Sequence, residues 1–316
     1  MRTSRNPVLG AAILALVLLG AACAQDQPGG DGGDGDGATV ASTLTLGGPP
    51  ECPERPFCIP GLKDVYGVEF GTFVPLDVGG PLTVEALEAG DIDVALLFST
   101  SSVIGENGWV VLDDDKALQN AENITPVVRS EVMDETILTR LDAISAALTT
   151  ENITGLNGRA EIASEDPADV AADFLEQNGL LEGPAGSGSL TVGAVGFAEN
   201  QIVAEMYAQT LEAAGYTVDR QLTLESREIL QPALESGDVD IAPEYLSSLL
   251  LFLDAEATAS GNPEEVRGAL EPLLTDKGQS LLLSSEADDT NAFVVTQETA
   301  DQYGLVAVSD LAKPAA

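Results

Sequence analysis

Hydrophobic and polar positions along this chain alternate between two rhythms. Short runs rich in apolar and β-branched residues at Thr43–Leu46, Gly71–Pro75, Ile92–Phe98, Leu190–Gly193, Thr217–Leu224, Val239–Ile241 and Ala292–Thr296 read as strands, the nearly continuous apolar ones as strands covered on both faces. Between them, Leu82–Glu88, Glu135–Leu148, Pro167–Gln177, Glu199–Ala214, Arg227–Glu235, Tyr245–Leu253 and Pro263–Leu274 carry helical spacing. Asp166 followed by Pro167 is a helix start, with an N-cap acceptor and a first-turn proline. Alternating strands and helices of this kind predict an α/β fold with mostly parallel sheets.

One stretch occurs twice. Ala86-Leu87-Glu88-Ala89-Gly90-Asp91-Ile92-Asp93-Val94-Ala95 returns as Ala233-Leu234-Glu235-Ser236-Gly237-Asp238-Val239-Asp240-Ile241-Ala242. Each copy reads as a helix end, a glycine able to take the left-handed C′ conformation, and a buried strand. Two copies predict two similar α/β lobes, and a cleft between lobes is where a small ligand sits. A Gly/Pro/Ser joint at residues 183–189 separates two blocks.

Composition narrows the chemistry. The chain has 52 acidic and 13 basic residues, four of the latter lysines, for a net charge of −39. Such a surface repels nucleic acid and anionic lipid headgroups, so neither is expected as a partner. Self-repulsion at this charge density is relieved by salt, which points to a saline working environment. Histidine is absent, which removes Ser-His-Asp and Cys-His catalysis and His-ligated metals. No nucleophile–base constellation stands out, and no enzyme, cofactor or metal is expected. Gly193 and Gly196 lack the third glycine and the lysine of a phosphate loop.

Arg2 and Arg5 precede an apolar run from Val8 to Ala22, a signal-peptide pattern over residues 1–22. Leu19-Gly20-Ala21-Ala22-Cys23 is similar to a bacterial lipobox, although Gly20 stands where an aliphatic residue is usual; Cys23 is then the lipidation site. Residues 23–42, with Asp31, Asp34 and Asp36 among glycines, read as a flexible acidic tether; they lack the closing Glu of a calcium loop. Cys52 and Cys58 flank a Pro-rich loop, and in an exported chain they are expected to form a disulfide.

The second block resembles the opening half of the substrate-binding proteins of ABC importers for glycine betaine, choline and carnitine. The resemblance rests on Leu190-Thr191-Val192-Gly193, Phe197-Ala198-Glu199-Asn200-Gln201, Pro243-Glu244-Tyr245, Asn291-Ala292-Phe293-Val294-Val295 and Ser309-Asp310-Leu311-Ala312-Lys313. The first block resembles the closing half, through Gly47-Gly48-Pro49-Pro50-Glu51-Cys52, Pro60-Gly61-Leu62-Lys63, Phe98-Ser99-Thr100 and Val110-Val111-Leu112-Asp113. The halves therefore stand in reverse order relative to the family, as in a circular permutation; a fragment of a tandem protein or a domain-swapped pair are the rival explanations.

The resemblance implies a two-lobed type II periplasmic-binding-protein fold, each lobe a mostly parallel sheet flanked by helices. Lobe A would be residues 43–118 with 290–316, and lobe B residues 119–289. It implies a monomeric, extracytoplasmic, lipid-anchored protein delivering a quaternary ammonium solute to an ABC permease and its ATPase by hinge closure. A sensor module or a non-transport binding protein for another polar solute is the alternative. Tyr245 falls at an aromatic cage position, Ser248 at a hydroxyl-donor position, and Arg55 where relatives hold a carboxylate. Phe197 and Thr100 fall at the C-terminal ends of strands, where α/β clefts take ligands. Asn291 stands where many relatives have a cage Tyr, Val84 stands at another cage position, and Val195 stands where some have a carboxylate-binding Lys, so a complete four-aromatic cage is not expected. The same residues also fit structural uses: packing for Phe197 and Tyr245, backbone bonding for Ser248 and Thr100, and pairing with Glu51 or Glu54 for Arg55.

Overall fold

In a computed structural model, residues 38–77 and 79–315 are described. The signal pattern, Cys23 and most of the expected tether lie outside them. Ten strands form two five-stranded sheets. They are β1 (Thr45–Gly48), β2 (Thr72–Pro75), β3 (Val94–Phe98), β4 (Val110–Val111), β5 (Ile124–Arg129), β6 (Gly188–Val195), β7 (Tyr216–Leu224), β8 (Ile241–Tyr245), β9 (Gln279–Leu281) and β10 (Asn291–Val295).

The first sheet has the order β2-β1-β3-β10-β4 and the second β7-β6-β8-β5-β9. In each, the first three strands run parallel and the fourth position is antiparallel, filled by β10 in one sheet and β5 in the other. Each half of the chain thus gives four strands to one sheet and one strand to the other. The arrangement is pseudo-symmetric, so exchanging the halves in sequence leaves the topology unchanged.

Both sheets are covered on both faces, as continuous apolar runs require. In β3, Val94 and Leu96 enter one hydrophobic cluster with Leu46 and Phe293, whereas Ala95 and Leu97 enter another with Ile92 and Val294. In the second sheet, Val192 and Ile241 face the cluster of Ile202, Met206 and Leu211, while Val127 and Ala242 face that of Leu230, Leu249 and Leu270. The repeated segment has one structure in both lobes: a helix (Pro81–Ala89 or Arg227–Ser236), a glycine at positive φ (Gly90 at 74°, Gly237 at 82°), then the third strand of its sheet. Asp166 caps its helix as expected, its Oδ1 accepting from the Ala168 N–H at 2.9 Å.

Two expectations shift. The strand read as Val239–Ile241 instead begins at Ile241 and runs to Tyr245, because β8 pairs along its whole length with β5; the following helix starts at Leu246, with Tyr245 at its N-cap. Residues 38–42, read as tether, are packed: Val40 is 3% and Ala41 0% exposed, and both join the first lobe's core. The backbone there pairs with the other end of the chain, Val40 N–H to Lys313 O at 2.8 Å and Ala315 N–H to Ala38 O at 2.7 Å.

The chain crosses between the sheets twice, before β5 and before β10. The crossing segments lie side by side: Asn123 bridges antiparallel to Asp288, and the Glu122 N–H donates to Asp288 Oδ1 at 2.6 Å. Two adjacent single-strand crossings are the usual form of a hinge.

Candidate functional site

A cavity of about 330 Å³ opens beside these crossings, between the C-terminal ends of the strands of both sheets. Of the six residues singled out from sequence, Arg55, Phe197, Tyr245, Ser248 and Asn291 line it; Thr100 does not. Thr100 lines an adjoining cavity of about 430 Å³ that shares Phe98, Phe197 and Asp289 with the first.

Phe197 stands in the turn between β6 and the helix Ala198–Ala214. The residues after it hold that turn to the sheet. Asn200 accepts from the Val195 N–H at 2.8 Å and donates to Pro243 O at 3.2 Å, and Gln201 donates to Leu222 O at 2.8 Å. With the turn fixed, the Phe197 ring stays 43% exposed toward the cavity and stacks on Tyr245, centroids 6.1 Å apart and planes at 30°. The Tyr245 hydroxyl donates to Glu199 Oε1 at 2.8 Å, orienting the ring. Burial, with the Glu199 charge, drives the Tyr245 phenol well above its ordinary value, so it stays protonated and donating.

Ser248 lies in the first turn of the helix Leu246–Leu253, and the carboxylate of Glu122 covers that helix start. Ser248 N–H donates to Glu122 Oε2 at 3.0 Å and its hydroxyl to Oε1 at 2.9 Å. A carboxylate at a helix N-terminus is favourably placed. Burial nevertheless pushes Glu122 up to about 7, against the opposing pull of the Ser248 bonds and Arg227. Arg227 opens the other repeat helix and is tied to Glu244 on β8 by bonds of 3.0, 3.0 and 2.7 Å. Glu244 is only 2% exposed, so this pair is part of the wall rather than a free cation.

Arg55 comes from the loop closed by the Cys52–Cys58 disulfide and lies 3.7 Å from Glu51, both side chains well exposed. An exposed pair of this kind is weakly held, so the guanidinium can turn to an anionic group. Asn291 donates to Gln119 Oε1 at 3.2 Å, and Gln119 donates to Phe57 O at 2.9 Å, so the side chain of Asn291 braces the disulfide loop as well as the cavity. Thr100 donates to Asp289 Oδ1 at 2.7 Å.

Sequence reasoning missed Phe57, Phe98, Glu122, Arg227 and Asp289 on the cavity wall. Phe57 and Phe98 join Phe197 and Tyr245, so four aromatic residues line one cavity. Phe98 had a legible signal, since it ends the repeated strand in the place where Tyr245 ends its counterpart. Phe57 had a weaker one, its position two residues from Arg55 inside the same loop. Nothing local marks Glu122 or Asp289, which reach the site from the crossings.

The fold and cavity define a two-lobed binding protein with a ligand cleft beside its hinge. The sequence model of the substrate-binding domain of ABC-type glycine betaine transport systems matches residues 35–177 and 188–316, and the chain belongs to that family. It is 32% identical over 154 residues to the glycine-betaine-binding protein of Pseudomonas aeruginosa, 48% of this chain and 50% of that one. It is 28% identical over 120 residues to the carnitine transport binding protein OpuCC of Listeria monocytogenes, 37% of this chain and 38% of that one. To the glycine betaine-binding protein YehZ of Escherichia coli it is 26% identical over 144 residues, 43% of this chain and 47% of that one. The chain thus spans about half the length, or less, of these curated relatives.

Proposed function

We propose that this protein is the extracytoplasmic solute-binding component of an ABC importer and that its cleft takes a glycine betaine- or choline-type quaternary ammonium solute. The observation that carries this reading is the set of four aromatic rings, Phe57, Phe98, Phe197 and Tyr245, lining one cavity between the lobes. A quaternary ammonium offers no N–H donor, and aromatic faces are the groups that attract it, by about 0.5–2 kcal/mol each. Phe57 and Phe98 belong to one lobe and Phe197 and Tyr245 to the other, so a cation between them favours closure about the paired crossings. Arg55 is the group able to meet a betaine carboxylate, and Ser248, whose hydroxyl is bonded to Glu122, lines the same cavity. The lipid anchor expected at Cys23 holds the protein at the outer face of the cell membrane, and Cys23→Ser would release it in soluble form.

The chain order belongs to the same proposal: the halves stand exchanged relative to the family. Matches that stop near half of each relative support it, as does the contact of residues 38–40 with 313–315.

Isothermal titration with choline, glycine betaine, carnitine and proline betaine tests the function. Saturable heat with one of them is expected; a folded sample silent to all four would sink the quaternary ammonium assignment.

A further inference from the structure

The adjoining chamber of about 430 Å³ has a different chemistry from the aromatic one. Three of its nine lining residues, Glu161, Glu199 and Asp289, are acidic, and none is basic. Glu199 is 3% exposed, and its two oxygens accept from Tyr245 and from Asn157 Nδ2 at 2.8 Å each. Asp289 accepts from Thr100, and burial followed by the Glu199 charge pushes its carboxyl up to about 8. Two carboxylates lining one chamber repel each other unless a proton or a cation lies with them.

A second observation is independent of the acids. Asn157 lines the same chamber and is 3% exposed. Its Nδ2 is committed to Thr100 O at 3.2 Å and to Glu199, which fixes the orientation of the amide. Its Oδ1 is then left buried with no hydrogen-bond partner among the described residues. A buried acceptor without a donor is uncommon in a folded protein and calls for an explanation. The acidic oxygens lining this chamber and the buried Asn157 Oδ1 all accept hydrogen bonds, so the ligand group the chamber suits donates N–H bonds and carries positive charge.

We propose that this chamber is a second subsite, which takes a hydrogen-bond-donating ammonium at the far end of a ligand whose other end lies against the shared rings of Phe98 and Phe197. The preferred solute is then a two-headed cation, held by aromatic faces at one end and by the carboxylates of Asp289, Glu199 and Glu161 at the other. The choice of probe rests on the quaternary ammonium reading of the first cavity.

The test is calorimetric titration of the purified full-length protein with (3-aminopropyl)trimethylammonium and with (3-hydroxypropyl)trimethylammonium, which differ by ammonium in place of hydroxyl. In 1 M NaCl, where the Debye length is about 3 Å, diffuse attraction to the acidic surface does not contribute. The amine is expected to bind at least tenfold more tightly, and that ratio to fall at least fivefold in Asp289→Asn and in Glu161→Gln. The ratio cancels any general loss of folding or closure, and Glu161 is exposed enough for its variant to fold. Equal affinities, or a gain that both variants retain, overturn the subsite. If neither probe binds but 1,4-diaminobutane does, and Asp289→Asn removes that binding, the quaternary reading fails while the subsite stands. If none of the three binds, the subsite is overturned.

Discussion

Asp93 and Asp240 perform the same task 147 positions apart: each accepts the backbone N–H of a first-strand residue and returns its own. Thr45 N–H donates to Asp93 Oδ2 at 2.8 Å and Asp93 N–H to Thr45 O at 3.0 Å; Thr191 N–H donates to Asp240 Oδ2 at 2.9 Å and Asp240 N–H to Thr191 O at 2.8 Å. The repeated Gly-Asp-x-Asp is therefore a stitch that ties β3 to β1 and β8 to β6. It places Phe98 and Tyr245, at the far ends of those strands, toward the cleft.

The two stitches differ in one partner. Asp240 also holds Arg129, at 3.0 Å to Nε and 2.9 Å to Nη2, whereas Asp93 holds no cation among the described residues. Asp93→Ala is expected to cost about 1–2 kcal/mol, the loss of a backbone bond in a half-buried place. Asp240→Ala is expected to cost about 3–4 kcal/mol, because Arg129 also loses its partner. Urea unfolding of both variants measures the difference, and an equal or larger loss for Asp93→Ala would contradict this account.

Tyr245 contributes a ring and a hydroxyl that are separable. Tyr245→Phe keeps the face toward the cavity and the stack on Phe197, and is expected to weaken binding of the preferred quaternary amine by less than about threefold. Tyr245→Ala removes the face and is expected to weaken it by about 10- to 30-fold, the upper part of a single cation–π contribution. Unchanged affinity in Tyr245→Ala would remove this residue from the site.

The unliganded protein is expected to lose stability as pH rises from 5 to 8.5. Burial raises Glu122 to about 7 and Asp289 to about 8 in the folded chain, against about 4 for a carboxyl in the unfolded one. Between those values the folded state binds more protons, so stability is full at low pH and falls as each group ionises. In the other direction, Asp310, lowered to about 2 first by its bond to Lys313, contributes stability above pH 4 that is lost in acid. A thermal midpoint highest near pH 5 is expected, with a shallower fall in Glu122→Gln; a midpoint that rises between pH 6 and 8 would refute the raised carboxyls.

Salt is expected to raise the thermal midpoint. With a net charge of −39, screening between 0.1 and 1 M NaCl relieves repulsion among exposed carboxylates. An increase of several degrees is expected, at about 2–4 °C per kcal/mol for a chain of this size. A flat or falling midpoint would show that the acidic surface does not govern stability.

The proposed exchange of the halves is tested by reversing their order. Residues 38–40 already pair with 313–315, so a short linker can join those ends. The 183–189 joint is tied by Thr136 to Ala185 O at 3.1 Å, Arg140 to Pro184 O at 3.2 Å and Gly186 N–H to Ala214 O at 2.9 Å, and its last two residues already belong to β6. A chain rebuilt with residues 188–316 before 38–187 is expected to fold with stability within about 2 kcal/mol and unchanged ligand preference. Failure of that chain to form either lobe would count against the pseudo-symmetric exchange.

Local chemistry made much of this protein legible in its sequence. The repeat fixed a helix, a left-handed glycine and a strand in each lobe, because all three depend on neighbours within a few positions. The continuous apolar runs announced sheets covered on both faces, and a strand end pointed to Phe197, whereas Tyr245 was singled out by the family resemblance. The tertiary structure decided what long-range contact decides. Tyr245 is the last residue of a strand because β5, more than a hundred positions earlier, pairs with it. Glu122 reaches Ser248 across 126 positions, and Thr100 reaches Asp289 across 189. Phe57 and Phe98 complete the aromatic wall only when a disulfide loop and a strand end of one lobe face the other across the hinge. No local pattern encodes these meetings, since each is created by two crossings of the chain lying side by side.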